Sequence, residues 1–190
     1  MPKTLLFLLL IMLSLSSHAQ FKYEREVRVR ERDVPASAVD FVRSMQLNSS
    51  VRWYKEYSEN RISFEAKTRY RGERFSIEFS EQGVFEDLEI EISPEDIPIE
   101  VFSHITAFLQ SEFERYTIEK VQIQYSGDAE LILAGFRQRE SMQGVAVHYE
   151  MVISTRLDGS FHLFEYLFSE TGAFVRKAMI VEKSIDNIIY

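Results

Sequence analysis

Cysteine is missing from all 190 residues, which removes disulfides, thiolate nucleophiles and every Cys-ligated metal site. Glycine and proline are scarce, at seven and four, and no low-complexity or Pro/Gly-rich linker divides the chain into freely moving parts. Positive charge is in the minority. With 22 Lys+Arg against 30 Asp+Glu the net charge is −8, a balance that repels polyphosphate and argues against nucleic acid as a partner. The chain also lacks an HExxH helix, a Gly-x-Ser-x-Gly elbow, a Gly-rich phosphate loop and the Asp-x-Asn/Asp-x-Gly spacing of a calcium loop. No cofactor and no catalytic residue is expected. What is present suffices for a folded domain: 45% apolar and 27% charged residues, close to the globular norms of about 45–50% and about 25%.

The one long apolar run lies at the start. Lys3 precedes Leu5 to Leu15, a stretch shorter than the roughly 20 residues that cross a bilayer. Ser17-His18-Ala19 then places small residues three and one before a cut ahead of Gln20. This pattern predicts a cleavable signal peptide over 1–19, rather than an uncleaved anchor, and a periplasmic or extracellular protein. No integral membrane segment is expected after its removal. Residues 20–32 are highly charged and read as an edge strand or an arm.

Two stretches of the chain match each other. Phe75, Phe79, Ser80, Glu81, Gly83 and Phe85 return at Phe164, Phe168, Ser169, Glu170, Gly172 and Phe174, six identities at an offset of 89. Asp33-Val34-Pro35 returns as Asp96-Ile97-Pro98 at an offset of 63. Apolar residues at helical spacing follow each proline: Val34, Ala38, Val42 and Met45, then Ile97, Val101, Ile105 and Phe108. Proline in the first turn supports both helix starts. The period then changes from 3.6 to 2. Ile62, Phe64, Ala66, Thr68 and Tyr70 alternate with polar residues, as do Phe75, Ile77 and Phe79 and then Leu88, Ile90 and Ile92.

The expected fold is therefore α+β: two tandem units, each one helix packed on an antiparallel four-stranded sheet, sharing one continuous sheet. Unit 1 covers 33–93 and unit 2 covers 94–183, followed by a tail over 184–190. The growth of the offset from 63 to 89 places an insertion in unit 2 near 126–143, where Asp128 can cap a short helix through Leu131, Ile132 and Phe136.

These features resemble the tandem PepSY-like domains of secreted bacterial proteins, grouped as beta-lactamase-inhibitor-like. The residues that carry the likeness are Val34-Pro35, Trp53, Phe64-Glu65-Ala66, Tyr149-Glu150-Met151, and the turns Phe79-Ser80-Glu81-Gln82-Gly83 and Phe168-Ser169-Glu170-Thr171-Gly172. The resemblance implies a secreted or periplasmic, non-enzymatic module with a binding or inhibitory role.

One face of the expected sheet differs between the units. In unit 1 the side away from the helix is polar, and Glu89 and Glu91 are expected to pair across strands with Lys67, Arg69 and Arg74. In unit 2 the matching positions are apolar: Val152, Leu163, Leu167, Ala178 and Ile180. Such a patch needs a cover. The nearest covers are the Leu131/Ile132/Phe136 insertion and the Ile185–Tyr190 tail; left uncovered, the patch is a docking surface for an extracytoplasmic protein or a second copy of this chain. A different reading makes the chain a small-ligand or metal-ion sensor using His148, His162 and Glu150, the two histidines lying on neighbouring expected strands.

Overall fold

The computed structural model describes residues 20–22, 25–58, 61–138 and 144–181. The expected signal peptide with its cut site, the end of the insertion and the tail lie outside these residues. Ten strands form a single sheet in the order β1-β10-β9-β8-β7-β6-β5-β4-β3-β2. They are β1 (Gln20–Lys22), β2 (Arg25–Val29), β3 (Arg52–Tyr57), β4 (Ile62–Tyr70), β5 (Glu73–Ser80), β6 (Phe85–Glu91), β7 (Tyr116–Ser126), β8 (Ala146–Leu157), β9 (Ser160–Ser169) and β10 (Phe174–Ile180). Neighbours from β2 through β10 are antiparallel, and β1 runs parallel to β10.

Three helices accompany the sheet: α1 (Ala36–Ser44), α2 (Ile99–Glu112) and α3 (Ala129–Gln138). The first two begin directly after Pro35 and Pro98, where a proline's missing N–H leaves nothing unsatisfied. Asp128 caps α3, its Oδ1 accepting from the backbone N–H of Glu130 at 2.9 Å and of Leu131 at 3.0 Å. Helix α1 buries Ala38, Val39 and Val42 against Trp53, Phe64, Ile77, Phe79 and Leu88. Helix α2 buries Ile105 and Leu109 against Met151, Ile153, Phe164, Tyr166 and Phe168. These strand residues share one face by register: Phe64 opposes Phe79, Ile77 opposes Leu88, Ile90 opposes Ile123, and Met151 opposes Tyr166. The apolar core is thus a layer between that face and the helices.

The expectation of two helix-on-four-strand units is not met. Strand β6 hydrogen-bonds to β7 from Asp87↔Ser126 through Glu91↔Gln122, so the sheet has no internal edge at which a unit could end. The N-terminal arm adds β1 and β2, one at each end. Helix α3 does not cover the later strands either. Its Ile132 and Leu133 join the core under α1, Phe136 packs against Tyr70 and Phe75 with centroids 5.5 and 5.8 Å apart, and the Arg137 Nε donates to the Ser44 carbonyl at 2.9 Å. The physical reason is edge satisfaction: pairing the outer strands β3 and β10 with β2 and β1 of the arm meets backbone polar groups that eight strands in two units would leave open.

The two ends of the sheet lie close together. Only Tyr23 and Glu24 separate β1 from β2 in the sequence, and that length of chain spans at most about 11 Å. The sheet therefore curls, with its helices on the convex side, until Lys22 of β1 and Glu26 of β2 line the same concave cavity.

Candidate functional site

The concave face is built from the alternate residues of each strand, the ones pointing away from the helices. Its central rows run across the sheet. Glu65, Glu78 and Asp87 are consecutive cross-strand partners on β4, β5 and β6; Lys67, Ser76, Glu89, Gln124 and His148 form the next row, and Arg69, Arg74, Glu91, Gln122 and Glu150 the one after. Curvature turns this face into a cavity of about 390 Å³ whose walls come from strands between β1 and β9 and are almost wholly charged or polar.

Burial on this face is deep. Glu65 is 5% exposed, Glu89 6%, Glu150 5% and Glu165 4%. A buried carboxylate needs a compensating partner, and most of these have a basic one. Lys67 Nζ lies 2.9 Å from both Glu65 and Glu26. Although burial pulls its pKa down, the adjacent Glu65 and Glu26 carboxylates raise the Lys67 ammonium above its usual range. Arg176 bridges Glu165 at 3.2 Å and Glu150 at 3.5 Å, and Lys22 adds a second contact to Glu165. At the rim Arg74 pairs with Glu91 at 3.1 Å.

Glu89 is held differently. It does not pair with Lys67, Arg69 or Arg74 as the alternation predicts; its register partners are Ser76 and Gln124. The side-chain amides of Gln122 and Gln124 donate to its two oxygens at 2.8 and 3.1 Å. Burial, then the nearby charges of Glu150, Glu78 and Asp87, push its pKa well above the ordinary carboxyl value. Burial and the Glu78 charge likewise push Asp87 up to about 8, and burial with the Glu165 charge pushes Glu150 up to about 7.

The five residues expected to form an apolar patch are gathered on this same face at its β8–β10 end. Val152 and Ala178 both oppose Glu165, Leu163 opposes Ile180, and Leu167 opposes Glu150. Leu167 and Ala178 are buried, while Val152, Leu163 and Ile180 are half-buried. The patch thus shares a face with the charged cavity and lies beside the lining residues Glu150 and Glu165 rather than in the lining itself. The two histidines of the sensor reading are not brought together: His148 opposes Ser169 at one end of the β8–β9 ladder and His162 opposes Thr155 towards the other. A one-strand offset in sequence places residues side by side only when the register also agrees.

The crowding of Glu78 and Asp87 beside Glu89 is not visible in the sequence. Their signal is a like-charge cross-strand run with Glu65, an arrangement that costs stability when the side chains are confined together. Register makes it visible only after the strands are paired.

No helix among the described residues is long and apolar enough to cross a membrane. No protein-family model matches the chain, and no curated protein matches it. Solved structures do. A candidate periplasmic protein from Bacteroides eggerthii is similar over 77% of this chain and 88% of its own, with 14% identity and a TM-score of 0.51. A DUF2874 family protein from Bacteroides ovatus is similar over 82% and 93%, with 11% identity and a TM-score of 0.51. A BLIP-like protein from Bacteroides fragilis covers 80% and 92%, with 15% identity and a TM-score of 0.47. At these identities the likeness to the first two is one of fold.

Proposed function

We propose that this chain is an exported, non-enzymatic binding protein that takes part of an extracytoplasmic protein partner into its concave face. The observation that carries this reading is the cavity of about 390 Å³ on the side of the sheet opposite all three helices. The charged cavity, with Val152, Leu163 and Ile180 beside it on the same face, offers a partner loop both salt-bridge partners and apolar contact. Concave sites with convergent polar groups are where proteins bind ligands. Export rests on Lys3, the short apolar run and Ser17-His18-Ala19, and the likeness to a candidate periplasmic protein is consistent with it.

Affinity capture from the cell envelope, comparing the native chain with Leu163→Lys, tests the reading. A partner held by the native chain and lost by the variant, with the variant's melting temperature kept, is the expected result. A second copy of the same chain as that partner would make the contact self-association. Identical captured sets from both proteins would overturn the reading. N-terminal sequencing of the exported form is expected to begin at Gln20; a chain beginning at Met1 would overturn the export.

A further inference from the structure

The concave face is not uniform in charge. Arg28, Arg52, Arg69 and Arg74 lie on β2, β3, β4 and β5, four successive strands, and all fall on the side away from the helices: Arg28 shares a row with Tyr54 and Glu65, Arg52 opposes Lys67, and Arg69 directly opposes Arg74. Arg52 is thus the diagonal neighbour of both Arg28 and Arg69. Diagonal neighbours on adjacent strands lie about 7–8 Å apart, so the four form a continuous basic stripe across the β2–β5 end of this face. Three of them, Arg52, Arg69 and Arg74, line the cavity.

All four are exposed, whereas Glu65, Glu89, Glu150 and Glu165 on the same face are buried. An approaching chain therefore meets positive charge first at this end of a protein whose net charge is −8. Among the described residues Arg28, Arg52 and Arg69 enter no ion pair, and only Arg74 has one, with Glu91 at 3.1 Å. The neighbouring acids Glu26 and Glu65 are held by Lys67 instead. Charged side chains on an end strand ordinarily keep other strands from adding, but β3, β4 and β5 are interior strands. Like charges placed directly opposite each other, as Arg69 and Arg74 are, cost stability.

We propose that this arginine stripe is the docking site for an acidic, extended segment of the partner protein, whose carboxylates pair with Arg28, Arg52 and Arg69. The proposal rests on the protein-partner reading of the concave face and names the chemistry of the segment bound there. Alternate residues of an extended chain are about 6.6 Å apart, close to the step of the stripe, so acidic side chains at every second position meet successive arginines. Guanidinium groups hold carboxylates through two parallel hydrogen bonds. A single segment suits the site better than a broad polyanionic surface, because the stripe lies on the inside of a curl and gives way to the buried acids Glu89, Glu150 and Glu165 of β6, β8 and β9.

The test is calorimetric titration of the full chain at low ionic strength with a capped peptide of alternating Glu and Ser, with its Gln-for-Glu counterpart and with phosphatidylglycerol vesicles. The proteins compared are the native chain, Arg52→Gln, Arg69→Gln, their double variant and, as a control, Arg156→Gln, an exposed arginine on the β8–β9 hairpin. Saturable binding of the acidic peptide alone is expected, with a dissociation constant of about 1 mM, the scale of a few exposed ion pairs. Affinity should fall about threefold in each single variant and about tenfold in the double, and stay native in Arg156→Gln. Melting temperatures should not fall, since neither arginine holds an acid in place. No saturation up to about 10 mM peptide, or equal affinity in the native and double-variant proteins, would overturn the stripe. So would vesicle binding or self-association of the native chain that the double variant loses, because either names another occupant. A partner captured by the native chain and lost by Leu163→Lys keeps the protein-partner reading whatever the peptide does, so the two fail separately.

Discussion

Glu89 and Gln122 are diagonal neighbours across β6 and β7, the Gln122 amide donating to the Glu89 carboxylate at 2.8 Å in a part of the sheet from which water is largely excluded. A polar face of a sheet ordinarily lies in solvent. Here curvature buries it, and the residues on it behave as an interior.

A buried carboxylate without a basic partner opposes folding when ionised, so Glu89→Gln, which keeps shape and removes charge, should not weaken the fold at pH 8. Urea melts are expected to show a midpoint equal to or above that of the native chain. A midpoint lowered by more than about 1 kcal/mol equivalent, the scale of one net hydrogen bond, would mean that the charge itself is holding the strands.

The pH dependence follows from Glu150. Burial, with Glu165 adding and Lys22, Lys120 and Arg176 opposing, pushes its pKa from an ordinary 4.5 up to about 7. The folded protein thus holds that proton more tightly than the unfolded chain. Its contribution to stability is complete below about pH 4.5 and is lost as pH rises through about 7. Denaturant midpoints of native and Glu150→Gln proteins, compared from pH 4.5 to 8, should diverge in favour of the variant as pH rises; parallel curves would contradict the assignment.

Phe79 and Phe168 are fully buried on the helix side and pack against Phe41 and Phe108 with centroids 5.7 Å apart in each case. Each Phe→Ala change should cost about 3–5 kcal/mol, read as a lower urea midpoint with an unchanged slope. Losses below about 1 kcal/mol at either site would be inconsistent with a fully buried ring.

Gly83 and Gly172 sit at φ +77° and +80°, and each turn presses on the start of a helix. A Cβ on Gly83 would approach Pro35 Cβ to 2.5 Å, and one on Gly172 would approach the Val101 carbonyl oxygen to 2.7 Å, whereas one on Gly159 meets nothing within 4 Å. Alanine at 83 or 172 is therefore expected to destabilise by more than about 1 kcal/mol, since both conformation and space oppose it. Gly159→Ala carries only the conformational part. Thermal melts of the three variants check the order.

Much of this architecture is legible in the sequence because period and punctuation are local. Pro35 and Pro98 mark helix starts, Asp128 marks a cap, and Phe64/Ala66 or Phe75/Ile77/Phe79 give the strand face. Long-range pairing is not local. Nothing near Gln20–Lys22 announces a parallel pairing with Ala178–Ile180, and without that pairing the curl is invisible. Alternation therefore marks Glu89 correctly as facing away from the helices, but it also makes it look solvated. Helix α3 shows a related limit: its apolar stripe predicts burial without saying against which residues, and Tyr70 and Phe75 prove to be the partners rather than the Leu163 patch.

The central claim, that a protein partner is held on the concave face, is tested most directly by site-specific photocrosslinking in intact cell envelopes. A photoreactive residue would be placed at Arg69 or Leu163 on the concave side and at exposed Ile99 on the helix side. The account predicts one discrete adduct, shared by positions 69 and 163 and absent from 99. An adduct formed only from position 99, or none from either concave position, would contradict it.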